Sequence, residues 1–284
     1  PLMRILVCTK RDLHGAHFLN RLLPRLAGHE LAGIWLSEKD RDAENSVPEL
    51  VELRFLERTL PLELLFPLID ALPETLQDTA PDATFAGLSR RHQVPLEVVT
   101  ALDADTHARL AALAPDLVII ARFSHIFDAA AIALPRFGMV NIHPGRLPEF
   151  AGLHAPLRAV ISDTRNFGCS LYWIDPGIDN GPLLSLIERP IAWDCCLLQQ
   201  IAGIYPLAIP ALLELIEACA AGQRPDGTPQ DRKHRHYRSM PTPADFEALR
   251  QSGLCLWQPD TYLGWLQRYR PAGITLPVFA APPR

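Results

Sequence analysis

Apolar residues recur at two different periods along this 284-residue chain, and the switches between those periods mark out its elements. Met3–Cys8 (M-R-I-L-V-C) is a compact apolar run suited to a strand buried on both faces. The spacing turns helical from Gly15 to Leu26, and Leu31–Leu36 reads as a second strand. A polar loop is expected over Arg41–Val47. The leucine-rich stretch Glu49–Leu72 has helical spacing, and Pro61 and Pro67 are expected to break it. Thr84–His92 reads as helix, Leu96–Val99 as extended and Asp105–Leu113 as helix again. Asp116–Ala121 (D-L-V-I-I-A) is a strand, and a short helix over Ala129–Leu134 leads to another strand, Met139–His143. Gly168–Ile174 and Leu183–Glu188 read as two further strands, and Leu197–Ala221 as one long apolar-striped helix.

This alternation predicts an α/β fold: a Rossmann-like, mostly parallel sheet with helices on both faces. Gly, Pro and Asp cluster without periodicity over Gly222–Gln230. That cluster places a boundary between a domain of residues 1–222 and a short C-terminal appendage, residues 223–284. So short a segment buries little core alone and should pack on the main domain or on a second subunit. Trp257, Tyr262 and Trp265 would serve either intrachain packing or a homodimer contact.

Composition narrows the classes of function. The net charge is −5 and 21% of residues are charged, which is not the signature of a nucleic-acid-binding protein. The six cysteines include no C-x-x-C pair and read as buried thiols of a reducing compartment rather than a disulfide framework. The chain starts close to its first strand with no leader pattern, and no apolar run reaches about 18 residues. A cytoplasmic protein with no membrane segment and no metal site is expected.

The segment Asn141–Leu184 carries the chemistry. Asn141 and His143 are two apart on a strand ending at Pro144, so both side chains point to one face and can reach one reacting centre. Ligands of open α/β sheets bind beyond the carboxyl ends of strands, where this pair sits. Asp179 follows in a Gly-rich turn. An amide and an imidazole can donate to a carbonyl oxygen that gains charge, and a carboxylate can take a proton. Taken singly, Asn141 can cap a turn, His143 can be a satisfied strand-end histidine, and Asp179 can form an Asx turn beside Gly177 and Gly181.

The whole stretch resembles the folate-dependent formyltransferase family, both its glycinamide ribonucleotide and its methionyl-tRNA branches. N-I-H-P-G-R-L-P-E-F-A-G-L-H (Asn141–His154) is similar to that family's signature loop, and D-P-G-I-D-N-G-P (Asp175–Pro182) to its second motif. A-R-F-S-H-I-F (Ala121–Phe127) resembles the strand and loop that wrap a pterin ring. The resemblance is dense over residues 115–190 and holds only in outline elsewhere. It implies catalytic roles for Asn141, His143 and Asp179, and 10-formyltetrahydrofolate as co-substrate. Phe123, Ser124, His125, Phe127, Ile132, Ile174, Asp175 and Gly177 would hold that donor. Gly152, which would let the loop approach a ligand, and His154 would lie on the acceptor side. The reaction would be direct formyl transfer to an amine. Hydrolysis of the same donor and a non-catalytic folate-binding module are the alternatives.

Departures from the family shape the expected acceptor. The first turn, Cys8–Phe18, contains only Gly15, whereas a backbone phosphate cradle needs several close-approach positions. Lys10, Arg11, His14 and His17 could still meet an anion, or simply form a solvated loop. The tail lacks a large basic domain for tRNA, and its run Arg232–Arg238 reads as solvated surface. The expected partner is therefore a small-molecule amine, such as an amino sugar or a hydroxyornithine-like amino acid, and not a nucleic acid.

Overall fold

The computed structural model describes residues 2–162 and 164–275. Strand β1 (Arg4–Lys10) buries every residue after Arg4. Its side chains alternate between two cores: Ile5 and Val7 enter the larger one, Leu6 and Cys8 a smaller one on the opposite face. A strand apolar on both sides needs cover on both sides, and the helices supply it. Asp12 caps α1 (Leu13–Leu22), its carboxylate accepting from the Gly15 N–H at 2.7 Å. Strand β2 (Glu30–Ser37) follows, parallel to β1.

The leucine-rich stretch does not break at its prolines. Helix α2 (Pro48–Arg54) runs into a π-helix (Phe55–Leu65) and then α3 (Phe66–Asp70). Pro61 has no N–H to donate, and its ring obstructs the carbonyl four residues back. The wider π turn changes that partner and lets the helix continue. Pro67 lies at the start of α3, where a missing donor costs little. Next come α4 (Glu74–Gln77), α5 (Phe85–His92), β3 (Leu96–Val99), α6 (Ala104–Leu113), β4 (Leu117–Ala121), α7 (Ala129–Ile132) and β5 (Gly138–His143). Thr84, Asp103 and Asp128 cap α5, α6 and α7 through their side-chain oxygens.

The chain then makes a two-residue strand β6 (Ala151–Gly152), α8 (Ala155–Ile161), β7 (Asn166–Trp173) and β8 (Leu183–Pro190). The main sheet has the order β3-β2-β1-β4-β5-β7-β8. Strands β1 to β5 are parallel, while β7 and β8 run antiparallel at one side. The chain steps from β1 outward to β2 and β3, then returns to β4 on the other flank, which opens a crevice at the carboxyl ends of β1 and β4.

The expected single helix is two, α9 (Leu197–Leu207) and α10 (Ile209–Ala220), with a turn at Ala208. By length and composition alone Leu197–Ala220 could cross a membrane, a property that the buried core helix of a globular domain shares. Half of its apolar window is nevertheless buried inside the fold, with α9 against α1 and β7.

Beyond Gly222 lie β9 (Tyr237–Arg238), α11 (Pro243–Ser252) and α12 (Pro259–Gln267). Phe246, Leu249, Leu254, Tyr262, Trp265, Leu266 and Tyr269 all enter the main core. The three aromatics weighed as a dimer contact are engaged within the chain. Trp257 Nε1 donates to Glu52 at 2.8 Å, the Tyr262 hydroxyl to the Leu56 carbonyl at 2.6 Å, and Trp265 Nε1 to His17 Nδ1 at 3.1 Å.

That last bond requires a neutral His17, because a protonated ring has no lone pair to offer. Burial, aided by Arg21 and His14, lowers its pKa to about 3. The unfolded chain binds this proton near the ordinary value of about 6.5, so stability is full above that pH and declines as pH falls toward 3. Thermal midpoints should therefore drop progressively below neutral pH, while native tryptophan fluorescence changes only as pH nears about 3, where folded His17 takes up its proton. His17→Asn, whose side-chain carbonyl still accepts the indole N–H in acid, should flatten that decline; an unchanged slope would disprove the assignment.

Candidate active site

Strand β5 delivers Asn141 and His143 to the same side of the sheet, with His143 buried. His143 Nε2 lies 2.6 Å from the Phe150 carbonyl. A carbonyl only accepts, so Nε2 carries the hydrogen and Nδ1 is the nitrogen left facing Asp179. Nδ1 stands 3.5 Å from Asp179 Oδ1, an ion-pair distance too long for a hydrogen bond. The close approach of Phe150 to the imidazole depends on Gly145, where a Cβ would press on Ala155, the Phe150 carbonyl and the His143 ring together.

Asp179 is the most constrained residue of the three. Its backbone is left-handed at φ 49°, a conformation costing roughly 1–3 kcal/mol for a side chain with a Cβ. Four contacts hold it there. Oδ2 accepts from the Gly152 N–H at 2.8 Å and Oδ1 from the Tyr172 hydroxyl at 3.0 Å. The Arg235 guanidinium donates to the Asp179 carbonyl at 3.0 Å and to the Ile178 carbonyl at 2.8 Å. Tyr172 also accepts from Asn141 Nδ2 at 2.8 Å, which joins amide, phenol and carboxylate in one line. Sequence reasoning missed Tyr172. The available signal was register, because β7 alternates and its pairing sets Tyr172 opposite Asn141.

These groups open onto a cavity of about 950 Å³. One end carries Phe123, Ser124, His125, Phe127, Ile174, Asp175 and Gly177. The Phe123 and Phe127 rings are nearly parallel, 5.6 Å between centroids. Ser37 Oγ accepts from the Ser124 N–H at 2.9 Å, and His125 Nε2 meets the Val99 carbonyl at 2.9 Å, so the loop is braced from β2 and β3. Asp175 uses its carboxylate on its own turn, accepting from the Gly177 N–H and the Asn180 amide. Ile132 does not reach the cavity; it packs in the smaller core beneath these rings.

The other end is charged, lined by Lys10, Glu57, Arg122, His154 and Tyr205. Lys10 Nζ is 3.3 Å from Glu44, and Arg122 Nη2 is 2.6 Å from Asp12 and 3.6 Å from Glu57. Burial would raise the Glu57 carboxyl, but His14, Arg122 and Lys10 together hold it well below the usual range, to about 2. Burial lowers the His154 imidazole to about 4 despite the acidic groups nearby. His14 was expected to meet the acceptor, yet it is buried outside the cavity with Nε2 2.8 Å from Glu57. Gly152 lines the cavity, but its missing side chain makes room for the Arg238 backbone, where a Cβ would collide with that carbonyl. The first turn is not a solvated loop either, whereas the basic run Arg232–Arg238 is exposed as expected apart from Arg235. Arg11 pairs with Glu38, while Arg235 grips the Asp179 turn. Neither Glu57 nor Arg122 was singled out from sequence, although Arg122 directly follows β4 at a strand end. A smaller cleft of about 450 Å³ lies behind the Pro144–Phe150 loop and carries none of the three. Among the described residues no group of three or more His, Cys, Asp or Glu could hold a metal ion.

Residues 75–194 match the formyl transferase family. Over 101 residues the chain is 36% identical to a methionyl-tRNA formyltransferase of Nitrosococcus oceani, covering 35% of this chain and 31% of that one. Over 139 residues it is 32% identical to the methionyl-tRNA formyltransferase of a Pseudomonas fluorescens strain, 48% of this chain and 43% of the other. The chain thus spans less than half the length of these curated relatives. Its fold is shared with a phosphoribosylglycinamide formyltransferase from Anaplasma phagocytophilum (TM-score 0.55, 18% identity, 85% of this chain and 100% of that one). It is shared also with a sugar N-formyltransferase from Shewanella (TM-score 0.52, 15% identity, 87% and 79%).

Arg235 tests whether the tail reaches the site. Removing its two bonds in Arg235→Ala leaves the left-handed Asp179 turn less restrained, and a displaced carboxylate should slow catalysis by roughly 10- to 100-fold. Steady-state rates set against thermal melts check this; a variant matching the parent rate would show that the turn needs no clamp.

Proposed function

Because residues 75–194 match the formyl transferase family, we propose that this chain transfers a formyl group from 10-formyltetrahydrofolate to the amine or hydroxylamine of a small-molecule acceptor. The observation that carries the reading is the convergence of Asn141, His143 and Asp179, 38 residues apart in sequence, on one wall of a two-ended cavity. The residues present suit the donor. A cavity of about 950 Å³ is at the upper end for a drug-sized ligand, and Phe123, Phe127 and Ile174 offer flat apolar contact beside loop backbone. The bound donor supplies an activated formyl carbon; the chain's own groups do the rest.

As the acceptor's neutral amine adds to that carbon, the carbonyl oxygen gains charge. The second N–H of Asn141 and, in the imidazolium form, the Nδ1–H of His143 donate to it. Phe150 keeps the other ring nitrogen occupied, so the imidazole cannot turn away. Asp179 takes the proton shed by the amine, directly or through a water, and returns it to the departing nitrogen as the carbonyl re-forms. Each carboxylate oxygen already accepts one hydrogen bond but keeps a second lone pair for that proton.

The charged end favours transfer over hydrolysis, since water needs no second compartment. Its charges are balanced: Lys10, Lys39, Arg41 and Arg122 stand among Glu38, Glu44 and Glu57, with Asp12 paired to Arg122. Such a lining argues against a polyanionic acceptor. Gly15 offers no phosphate cradle, because the space beside it is taken by the Lys10 carbonyl. Arg235 is occupied on the Asp179 turn, which takes one cation of the basic run out of contact with any polyanion, while Arg232, Lys233 and Arg238 stay exposed. In this reading residues 1–222 form the catalytic domain, 223–284 brace it, and the six free thiols suit a cytoplasmic setting.

His143→Ala and Asp179→Asn should each lower turnover by about two orders of magnitude or more. Rates close to the parent in either variant would remove that residue from the reaction. Tetrahydrofolate release, followed across a panel of amino sugars, hydroxylated ornithine and glycinamide ribonucleotide, should depend on the amine. Release at the same rate with no amine present would identify a hydrolase, and donor binding without release under any condition a binding module.

A further inference from the structure

Tyr172 touches both Asn141 and Asp179, yet none of the chemistry above uses it. Its hydroxyl oxygen is 2.8 Å from Asn141 Nδ2 and 3.0 Å from Asp179 Oδ1. Tyr172 is 3% exposed, and the β5–β7 register sets it directly opposite Asn141. Burial, then the Asp179 charge, raises its pKa well above the ordinary tyrosine range, outweighing the Asn141 bond. It is therefore a neutral phenol with a single hydrogen throughout the working range.

That single hydrogen decides the geometry of its neighbours. An ionised Asp179 can only accept, so the phenol's hydrogen goes to Oδ1. The phenol oxygen is then an acceptor, and only the NH2 side of the Asn141 amide can satisfy it. One amide hydrogen is spent on Tyr172, and the second is held in a fixed direction for the reacting oxygen. If Asp179 carries a proton, the line can reverse: the carboxyl donates to the phenol, the phenol donates to the amide, and the amide must turn its carbonyl toward Tyr172. Donor count alone dictates both arrangements.

We propose that Tyr172 is a positioning residue that couples the charge of Asp179 to the orientation of the Asn141 amide. The oxyanion donor is in place only while the carboxylate is ionised. The lock therefore holds during amine addition, when the carbonyl oxygen gains charge, and loosens once Asp179 has taken the proton. This inference rests on the assignment of Asn141 and Asp179 made above.

Two measurements test it. In the first, the Asn141 side-chain amide is followed by NMR in asparagine-labelled protein, identified by its loss in Asn141→Asp. Its two proton signals should shift with pH in step with the Asp179 carboxyl carbon, and should lose that response in Tyr172→Phe. This experiment requires no turnover, so it judges the inference even if the formyl-transfer reading fails. Amide signals indifferent to Asp179 ionisation would overturn it. In the second, Tyr172→Phe should lower kcat by about tenfold, in line with a misdirected oxyanion donor, while KM for 10-formyltetrahydrofolate stays within about twofold, as expected when only a transition-state contact is lost. The acid limb of its rate profile should move to higher pH, because the carboxylate has lost a donor. A residue that merely packs would leave that limb in place, so an unmoved limb with the parent kcat would equally overturn the proposal. Should Tyr172→Phe fail to fold, the pH titration of the unsubstituted protein decides alone.

Discussion

A single carboxylate in an unfavourable backbone conformation organises this site. Asp179 sits at φ 49° because distant segments donate to it: Tyr172 from β7, the Gly152 N–H from β6 and the Arg235 guanidinium from the tail. The Gly152 and Tyr172 bonds end on the charged carboxylate and Arg235 holds the backbone carbonyl, and together they offset a strain of roughly 1–3 kcal/mol. The charge is what the arrangement needs. A neutral carboxyl would lose much of its hold on the Gly152 N–H and the Tyr172 hydroxyl at once, leaving Arg235 on the backbone carbonyl as the remaining restraint on the turn.

How far this was legible from residues alone depends on the range of the interaction. Strands β1, β4 and β5 announce themselves because both faces are buried over their central residues, which are almost all apolar. Asn141 and His143 are fixed to one face by the two-residue period of a strand, a local rule. Tyr172 is different. Its role arises from a β5–β7 register that no local pattern states, and a tyrosine inside Gly168–Ile174 reads as one more strand aromatic. Pro61 misled for a related reason: its cost in an α-helix is certain, but a π segment removes that cost, and nothing in the spacing of Glu49–Leu72 signals one. His14 was placed near the ligand by its position in the first turn and Ile132 by the family resemblance, and both turn inward to the protein instead.

The charged end of the cavity shows electrostatics of another kind. Asp12 caps α1 with one carboxylate oxygen and binds Arg122 with the other, so a helix terminus and a strand end share one fully buried anion. Glu57 is held ionised between His14 and Arg122, with Lys10 adding to the field. Buried charges of this sort persist only when paired, and breaking a pair leaves an uncompensated ion. The pairing keeps Arg122 rigid at the cavity wall without a net positive field, which separates this wall from one built to capture phosphate.

The tail is the part whose function composition says least about, and the geometry ties it to both ends of the chain. Tyr237 and Arg238 add a parallel strand to Ala151–Gly152, so the loop bearing the Asp179 donor is itself held by residues from beyond Gly222. Arg158 of α8 pairs with Asp245, the same carboxylate that closes the capping box of α11, and Trp265 lies against His14 and His17 at the start of α1. A segment that cannot bury a core alone thus takes its stability from the sheet and returns it as restraint on the turns around the cavity. The arginine that holds the Asp179 turn and the helices that pack against the sheet thus belong to one segment of chain, so restraint of the site and docking of the tail are carried by the same stretch.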